Sequence, residues 1–188
     1  MRQYACLPEA LGTDGEYSLV TVQDAHIESI RQWRNAQMDV LRQAHPISSG
    51  QQVRYYSEQI WPTLADPQPR NLLLTLLEGR RPVGYGGFVH IAWEHQRAEV
   101  SFLLDPVLTT DHSTYARIFS IYLGLLKRAA FDGLGFNRLF TETYAHRIEH
   151  IRVLENNGFR LEGRLRKHVR IGSEAVDSLI HGCLSDER

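Results

Sequence analysis

Residues 153–166, VLENNGFRLEGRLR, decide the fold because they join a helix to a β-hairpin. Apolar residues recur at helical spacing from Ile148 to Leu154, and Asn156-Asn157-Gly158 is a typical C-terminal stop for a helix. Beyond the stop, residues 160–170 and 175–184 predict two strands, separated by a Gly-Ser pair that favours a tight turn. The chain is therefore expected to end in a helix followed by a hairpin.

The middle of the chain contains the clearest helix and four strands. Apolar residues repeat at i, i+3, i+4 and i+7 over residues 115–130, which indicates an amphipathic helix. Three predicted strands precede it, and these cover residues 70–78, 83–93 and 98–104. A fourth, residues 138–144, follows the helix. Two adjacent glycines in the second strand indicate a bulge or a close backbone approach.

The first 62 residues add one strand and two helices. Residues 1–15 are irregular and predict an N-terminal arm, and residues 17–22 alternate like a strand. A first helix follows Asp24, and a second begins at Ser48 or Ser49 and is closed by Pro62.

The predicted order is β-α-α-β-β-β-α-β-α-β-β, which indicates an α/β fold: a single domain over residues 16–188 with a mixed sheet and helices on both faces. Three consecutive strands favour an antiparallel meander, and the strand–helix–strand unit favours a parallel crossover. The two parallel strands, residues 98–104 and 138–144, are expected to splay at their carboxyl ends, where ligands commonly bind.

Composition excludes several classes of protein. The 188 residues include 21 Lys plus Arg and 22 Asp plus Glu, and 43% are hydrophobic, which excludes intrinsic disorder. The net charge of −1 argues against a dedicated nucleic-acid binder. Apolar runs reach only about five residues, far below the roughly 18 of a membrane span, and no secretory signal is evident. We expect a cytoplasmic protein with two free thiols, no nucleic-acid partner and no membrane partner. Whether it forms a homodimer is left open.

The element order together with residues 153–166 resembles the GNAT N-acetyltransferase superfamily. The branch most similar contains ribosomal-protein N-terminal acetyltransferases and nucleotide-linked amino-sugar N-acetyltransferases. Four further stretches carry the resemblance: residues 33–35 (WRN), 82–87 (PVGYGG), 98–106 (AEVSFLLDP) and 177–182 (DSLIHG). The resemblance spans residues 16–184 and implies a GNAT fold and acetyl-CoA as co-substrate.

The loop before the helix of residues 115–130 departs from the family. Family members carry an Arg/Gln-x-x-Gly-x-Gly/Ala loop whose backbone N–H groups hold the pyrophosphate of acetyl-CoA. Residues 107–117 contain no glycine, include roughly five extra residues and add the negative charge of Asp111. A GNAT-fold binding module without transferase activity, or a transferase with a different acyl donor, therefore stays open. The cofactor-binding residues that the resemblance implies, with polar substitutes for the loop, are Phe102, Leu103, Leu104, Ser113, Thr114, Arg117 and Arg147.

Acyl transfer to an amine needs a base for the ammonium and an acid for the leaving thiolate. Glu99 is the first candidate for the base; the alternative is a strand-edge carboxylate that only pairs with Arg97 or with the basic hairpin. His150 is a second candidate for the base, or for the acid that protonates the thiolate. The alternative is a histidine that is simply exposed on a helix. Glu142 and Tyr144 are further catalytic candidates near the splay.

The acceptor is expected beside the end of the first helix. The substrate-binding candidates are Trp33, Arg34 and Asn35. The alternative is that the tryptophan belongs to the core and that the residues after it form the C-terminal cap of the helix. Arg166 is another candidate, since residues 162–170 place basic side chains at alternate positions, where they could bind a phosphate. The alternative is that these side chains form a solvated edge of the sheet. The lead hypothesis is N-acetylation of a small-molecule primary amine, such as a nucleotide-linked amino sugar; the alternative acceptor is a protein N-terminus. The histidines lack metal-ligand spacing, so no metal site is predicted.

Overall fold

A computed structural model describes residues 1–8, 11–41 and 43–187. Within them, eight strands form one mixed sheet in the order β1-β2-β3-β4-β5-β6-β8-β7. The strands are β1 (Thr13–Asp14), β2 (Tyr17–Thr21), β3 (Leu72–Glu78), β4 (Arg81–Ala92), β5 (Arg97–Leu104), β6 (Arg138–Tyr144), β7 (Arg160–Ile171) and β8 (Glu174–Leu184). The α-helices are α1 (Ile27–Ala36), α2 (Ser49–Tyr55), α3 (His112–Lys127) and α4 (Ile148–Asn156).

The predicted α/β class and the order of the major elements are confirmed. The element missed is β1, whose two exposed residues carry no alternation that a sequence pattern could reveal. It lies within the first 15 residues, which were expected to form an arm. Tyr4, Leu7 and Leu11 of that segment are buried and join the hydrophobic core.

Helices cover both faces of the sheet and create two cores. On one face, α3 and α4 pack against the sheet through residues such as Phe119, Leu126 and Leu154. On the other face, α1 and α2 enclose a smaller core that includes Ile30 and Trp33. The amphipathic patterns of the helices therefore serve two separate cores rather than one.

Local signals explain where the helices begin. Ser48 caps α2, because its Oγ accepts from the Gln51 backbone N–H while the Gln51 side chain accepts from the Ser48 N–H. Asp111 caps α3 by accepting from the Thr114 N–H at 2.7 Å. A π-helical turn, Arg128–Gly133, extends α3.

The two glycines of β4 lie where neighbouring backbones come close. A Cβ on Gly86 would lie 2.0 Å from the Ser101 carbonyl oxygen, and one on Gly87 would lie 2.0 Å from that of Leu72. The predicted close approach is confirmed, because no side chain other than hydrogen fits at either position.

Strands β5 and β6 part after a short parallel contact. Their pairing covers only Arg97–Glu99 with Arg138–Phe140, whereas β6 pairs with β8 along its whole length. The backbone of β5 beyond Glu99 is therefore free of strand pairing on the β6 side. This splay, which the element order predicted, opens the cleft described next.

No helix in the described ranges is long and apolar enough to cross a bilayer.

Candidate active site

A cleft of about 400 Å³ lies at the splay. Its walls come from four strands, β3 to β6, from the end of α1 and the segment after it, from the end of α2, and from the start of α4. Seven of the residues predicted for the site line it: Arg34, Glu99, Phe102, Glu142, Tyr144, Arg147 and His150. Residues far apart in sequence are therefore brought together where the two strands separate.

Glu99 is held by a histidine of the neighbouring strand. His90 Nδ1 lies 2.7 Å from Glu99 Oε2. The pairing of β4 with β5 is irregular between Val89 and Ala92, and His90 there has a left-handed backbone with φ of +50°. The Glu99 side chain is 15% exposed and that of His90 is 63% exposed. The pair therefore connects the cleft with solvent.

His150 is buried rather than exposed, so the alternative of an exposed helix histidine is wrong. The residue His150 is only 8% exposed. Its ring stacks on that of Phe119, with the ring centroids 4.4 Å apart, and its Nδ1 lies 2.6 Å from the Tyr115 hydroxyl oxygen. Burial, followed by the charge of Arg147, lowers the pKa of His150 well below its usual value. Burial likewise raises the pKa of Tyr115 to about 12. Both groups are neutral at neutral pH.

Glu142 and Tyr144 enter the cleft from β6. Glu142 Oε1 lies 3.7 Å from His168 Nε2 of the hairpin, and the Glu142 side chain is mostly covered. Tyr144 is buried and its ring lies 5.9 Å from that of His146. The two side chains share the cleft with Glu99.

The residues predicted to bind the cofactor separate into two groups. Phe102 and Arg147 line the cleft, and the Phe102 ring stacks on Phe119. Leu103 and Leu104 are buried in the cores on opposite faces of the sheet.

The polar substitutes at the start of α3 are engaged elsewhere. The Ser113 hydroxyl and the Thr114 N–H both donate to Asp111 Oδ2, each at 2.7 Å. Arg117 donates to the Tyr17 hydroxyl on β2 at 3.1 Å and does not line the cleft. The carboxylate of Asp111 thus takes the donors that a phosphate would use.

A second depression, of about 520 Å³, adjoins the cleft between the starts of α3 and α4. Its lining includes the histidines His112, His146 and His150, the carboxylates Asp39 and Glu149, and Arg147, which also lines the cleft. The guanidinium of Arg147 therefore stands near the loop that lacks glycine.

The substrate candidates also fall into different places. Trp33 is buried in the core of α1 and α2. Asn35 anchors the following segment, since its Nδ2 donates to the Ile47 carbonyl and its Oδ1 accepts from the Ile47 N–H, both at 2.8 Å. Arg34 lines the cleft. Arg166 is exposed on β7 and is absent from the lining of the cleft.

The alternating basic positions of β7 do not form one continuous face. The pairing of β7 with β8 is irregular at Leu161–Gly163 and at Leu165–Val169. Arg164 pairs with Asp177 at 2.9 Å, and His168 points to Glu142. Strict alternation fails because the bulges add residues on β7 alone.

A family profile described as "Acetyltransferase (GNAT) domain" matches residues 18–180. The chain belongs to the GNAT acetyltransferase family. The predicted family and enzyme class, an acyltransferase of GNAT type, are confirmed. A search of the curated proteins finds no match.

Solved GNAT structures share the fold at low sequence identity. The ribosomal L7/L12 alpha-N-protein acetyltransferase RimL, in complex with coenzyme A, is 16% identical with a TM-score of 0.79, covering 96% of this chain and all of that one (100%). Spermidine N-acetyltransferase from Vibrio cholerae, in complex with CoA and spermine, is 15% identical with a TM-score of 0.77, covering 93% and 98%. At these identities the likeness establishes the fold of this GNAT domain.

The site contains residues that the sequence patterns missed. His90 is one of them: the histidines were considered only as metal ligands, although a polar residue close to the paired glycines of its strand was a signal. Tyr55 and Tyr85 also line the cleft. Tyr85 lies in the stretch of residues 82–87 that carried the resemblance, but nothing in its spacing indicated a role. No group of three or more His, Cys, Asp or Glu in the described part of the chain could hold a metal ion.

The described residues suit one part of a CoA thioester better than another. The unpaired edge of β5 beyond Glu99 suits an extended, amide-containing arm, because it offers backbone donors and acceptors. The start of α3 does not suit a pyrophosphate in the family's usual way, because Asp111 occupies the Thr114 N–H. The basic side chains of the adjoining depression are the remaining partners for phosphate.

Proposed function

We propose that this GNAT domain transfers an acetyl group from acetyl-CoA to the primary amine of a small molecule. The observation that carries the proposal is the position of Glu99, the last residue of β5 paired with β6, facing the cleft where the two strands part. A thioester laid along the free edge of β5 supplies the acetyl group. The chain supplies the groups that move protons and polarise the carbonyl.

Glu99 is the proposed general base. Its carboxylate is largely covered and bonded to His90, and it lines the cleft. An ammonium group must lose a proton before it can attack a carbonyl, and a carboxylate within reach, directly or through one water, can take it. His150 is a weaker candidate, because its lowered pKa makes it a poor proton acceptor at neutral pH.

Two further roles follow from position. A backbone N–H on the unpaired edge of β5 can polarise the acetyl carbonyl. Tyr144 is the proposed acid for the leaving thiolate, since a phenol in the cleft can donate a proton. Glu142, whose Oε1 lies 3.7 Å from His168 Nε2, shares the cleft with Tyr144, and we propose that it orients the amine.

The phosphates of the donor are proposed to meet side chains rather than glycine N–H groups. Arg147 lies at the boundary between the cleft and the basic depression, where a guanidinium fork can pair with phosphate. His112 and His146 flank it. This arrangement compensates for the loop that lacks glycine.

The proposal also covers the class of the acceptor amine. A nucleotide-linked amino sugar remains the leading example, and a protein N-terminus remains the alternative, since a structural neighbour is named as a protein N-terminal acetyltransferase. The lining of the cleft includes two arginines, Arg34 and Arg147, beside Glu99 and Glu142, so an acceptor that carries an anion as well as its amine can pair with both kinds of group.

Calorimetry with acetyl-CoA tests the donor. We expect binding that is at least about tenfold weaker in Arg147→Gln, because a charge-assisted contact is lost, and unchanged in Arg152→Gln, whose side chain is exposed on the same helix and pairs with Glu149. Absence of acetyl-CoA binding at millimolar concentration would exclude this donor.

A further inference from the structure

A side cavity of about 420 Å³ lies between α1, α2 and the segment that joins them. Its lining includes three tyrosines, Tyr55, Tyr56 and Tyr85, one arginine, Arg34, and the amide side chains of Gln51 and Gln52. The segment is fixed by Asn35, which bonds both backbone groups of Ile47. Arg31 also donates to the Ile47 carbonyl at 3.0 Å. The cavity is therefore a formed feature of the fold.

The side cavity adjoins the cleft. Arg34, Tyr55 and Tyr85 line both spaces. Tyr85 is buried and Tyr55 remains 43% exposed, so two aromatic rings of different accessibility stand at the boundary. A molecule whose amine reaches Glu99 in the cleft can extend its other end past these rings.

The charge of the side cavity is positive. None of its described lining residues is an aspartate or a glutamate. Arg34 donates through Nε to Gln43 Oε1 at 3.1 Å. A half-buried guanidinium that faces a cavity whose described lining contains no carboxylate is suited to a carboxylate or phosphate on a ligand.

The rings define the shape of the same ligand. Planar groups stack on tyrosine rings with a gain beyond their buried area. Ammonium groups also bind over tyrosine rings, so the rings accept either kind of ligand. Arg34 decides against a polyamine, because the second ammonium of a polyamine would approach the guanidinium, where like charges repel.

We propose that the side cavity recognises the far end of the acceptor, and that this end is a planar ring carrying a carboxylate or a phosphate paired with Arg34. The inference rests on the proposed function, since it assigns the acceptor of the same site. It makes Arg34 a residue that determines specificity.

Matched acceptors test it. The four acceptors are benzylamine, 4-(aminomethyl)benzoate, 4-(aminomethyl)phenyl phosphate and spermidine, each assayed for acetylation with saturating acetyl-CoA and for binding by calorimetry. We expect kcat/KM for the carboxylate or the phosphate to exceed that for benzylamine by about tenfold or more. Whichever of the two is preferred identifies the anion. Spermidine is expected to be the poorest acceptor.

Variants then assign the preference to Arg34. In Arg34→Gln the anion preference should fall to about one, and in Arg34→Lys, which keeps the charge but not the fork, it should be intermediate. Arg54→Gln is the matched control, because Arg54 precedes Tyr55 on α2 but is exposed and absent from the cavity lining. Circular dichroism confirms that each variant is folded.

The outcomes separate this inference from the proposed function. Acetylation of the amines without an anion preference, a preference unchanged in Arg34→Gln, or spermidine as the best acceptor overturns the inference and leaves the function standing. Arg34-dependent binding of the anionic ring amines without acetylation supports the inference and overturns the function. Failure of every ring amine to bind at millimolar concentration overturns the inference.

Discussion

His90 Nδ1 lies 2.7 Å from Glu99 Oε2 across an irregular point in the pairing of β4 and β5. The Glu99 side chain is mostly covered, whereas that of His90 is mostly exposed. An imidazole placed between a covered carboxylate and water can carry a proton from one to the other. We therefore infer that His90 returns Glu99 to its charged form after each turnover.

Replacement of His90 should slow turnover without weakening donor binding. We expect His90→Ala to lower kcat by about fivefold, because Glu99 loses its hydrogen-bond partner and its path to solvent, with KM for acetyl-CoA unchanged. His95→Ala is the control, since His95 is exposed and only approaches Glu94. Steady-state kinetics measure both. An unchanged kcat in His90→Ala would show that Glu99 exchanges protons without His90.

The close packing at the glycines of β4 predicts a large effect on stability. Gly87→Ala should lower the free energy of unfolding by about 3 kcal/mol or more, because the new Cβ would lie 2.0 Å from the Leu72 carbonyl oxygen and the backbone φ is +121°. Gly50→Ala, with nothing within 4 Å of the new Cβ, should leave stability unchanged or raise it by up to about 1 kcal/mol. Urea denaturation compares them, and equal stabilities would contradict the close approach.

Buried histidines predict a loss of stability in acid. Burial lowers the pKa of His150, and also the pKa values of His26 and His181. Below about pH 6.5 these histidines become protonated in the unfolded chain, whereas in the native state they stay neutral to a lower pH. The free energy of unfolding therefore falls as the pH falls. Each contributes at most about 1.4 kcal/mol per pH unit.

Thermal unfolding at about pH 7.5 and about pH 5.5 measures the effect. We expect His150→Gln to show a smaller decrease in Tm between the two conditions than the wild type does. His95→Gln should behave like the wild type, because His95 is exposed. A wild-type Tm that is equal or higher in acid would argue against a neutral, buried His150.

The start of α3 predicts a gain of donor affinity. Asp111→Ser keeps a side chain that can cap the helix by accepting from the Thr114 N–H, and it removes a negative charge from the start of the helix. We expect acetyl-CoA to bind a few-fold more tightly, with a larger gain at low ionic strength, and Tm to change little. Calorimetry at two salt concentrations is the measurement. Weaker binding would mean that Asp111 helps to hold the donor.

The sequence predicted most of the fold because periodic patterns report directly on strands and helices. The helix at Ile148–Leu154, its stop at Gly158 and the following hairpin all lie where the patterns placed them. The missed β1 has two residues, too few for any alternation. The burial of Tyr4 and Leu7 depends on contacts with distant elements, which no local pattern carries.

The site was predicted less completely, because side-chain direction depends on local irregularities. Glu99 could be placed in the cleft from the order of strands, but its partner His90 faces it only because β4 is irregular there. Arg117 was expected to replace the glycines, yet it donates to the Tyr17 hydroxyl of β2, 100 positions earlier in the chain. An exposed His150 was the alternative to a catalytic one, and it is wrong because tertiary packing against Phe119 buries the ring.

Acetyl transfer by the wild type and by Glu99→Gln is the most direct test of the central claim. Labelled acetyl-CoA and a ring amine are assayed together, with acetyl-CoA binding measured in parallel and Glu94→Gln, an exposed carboxylate near β5, as control. We predict that Glu99→Gln lowers kcat by about 10²-fold or more while binding acetyl-CoA as the wild type does. Equal rates in the two proteins would contradict the assignment of Glu99 as the base.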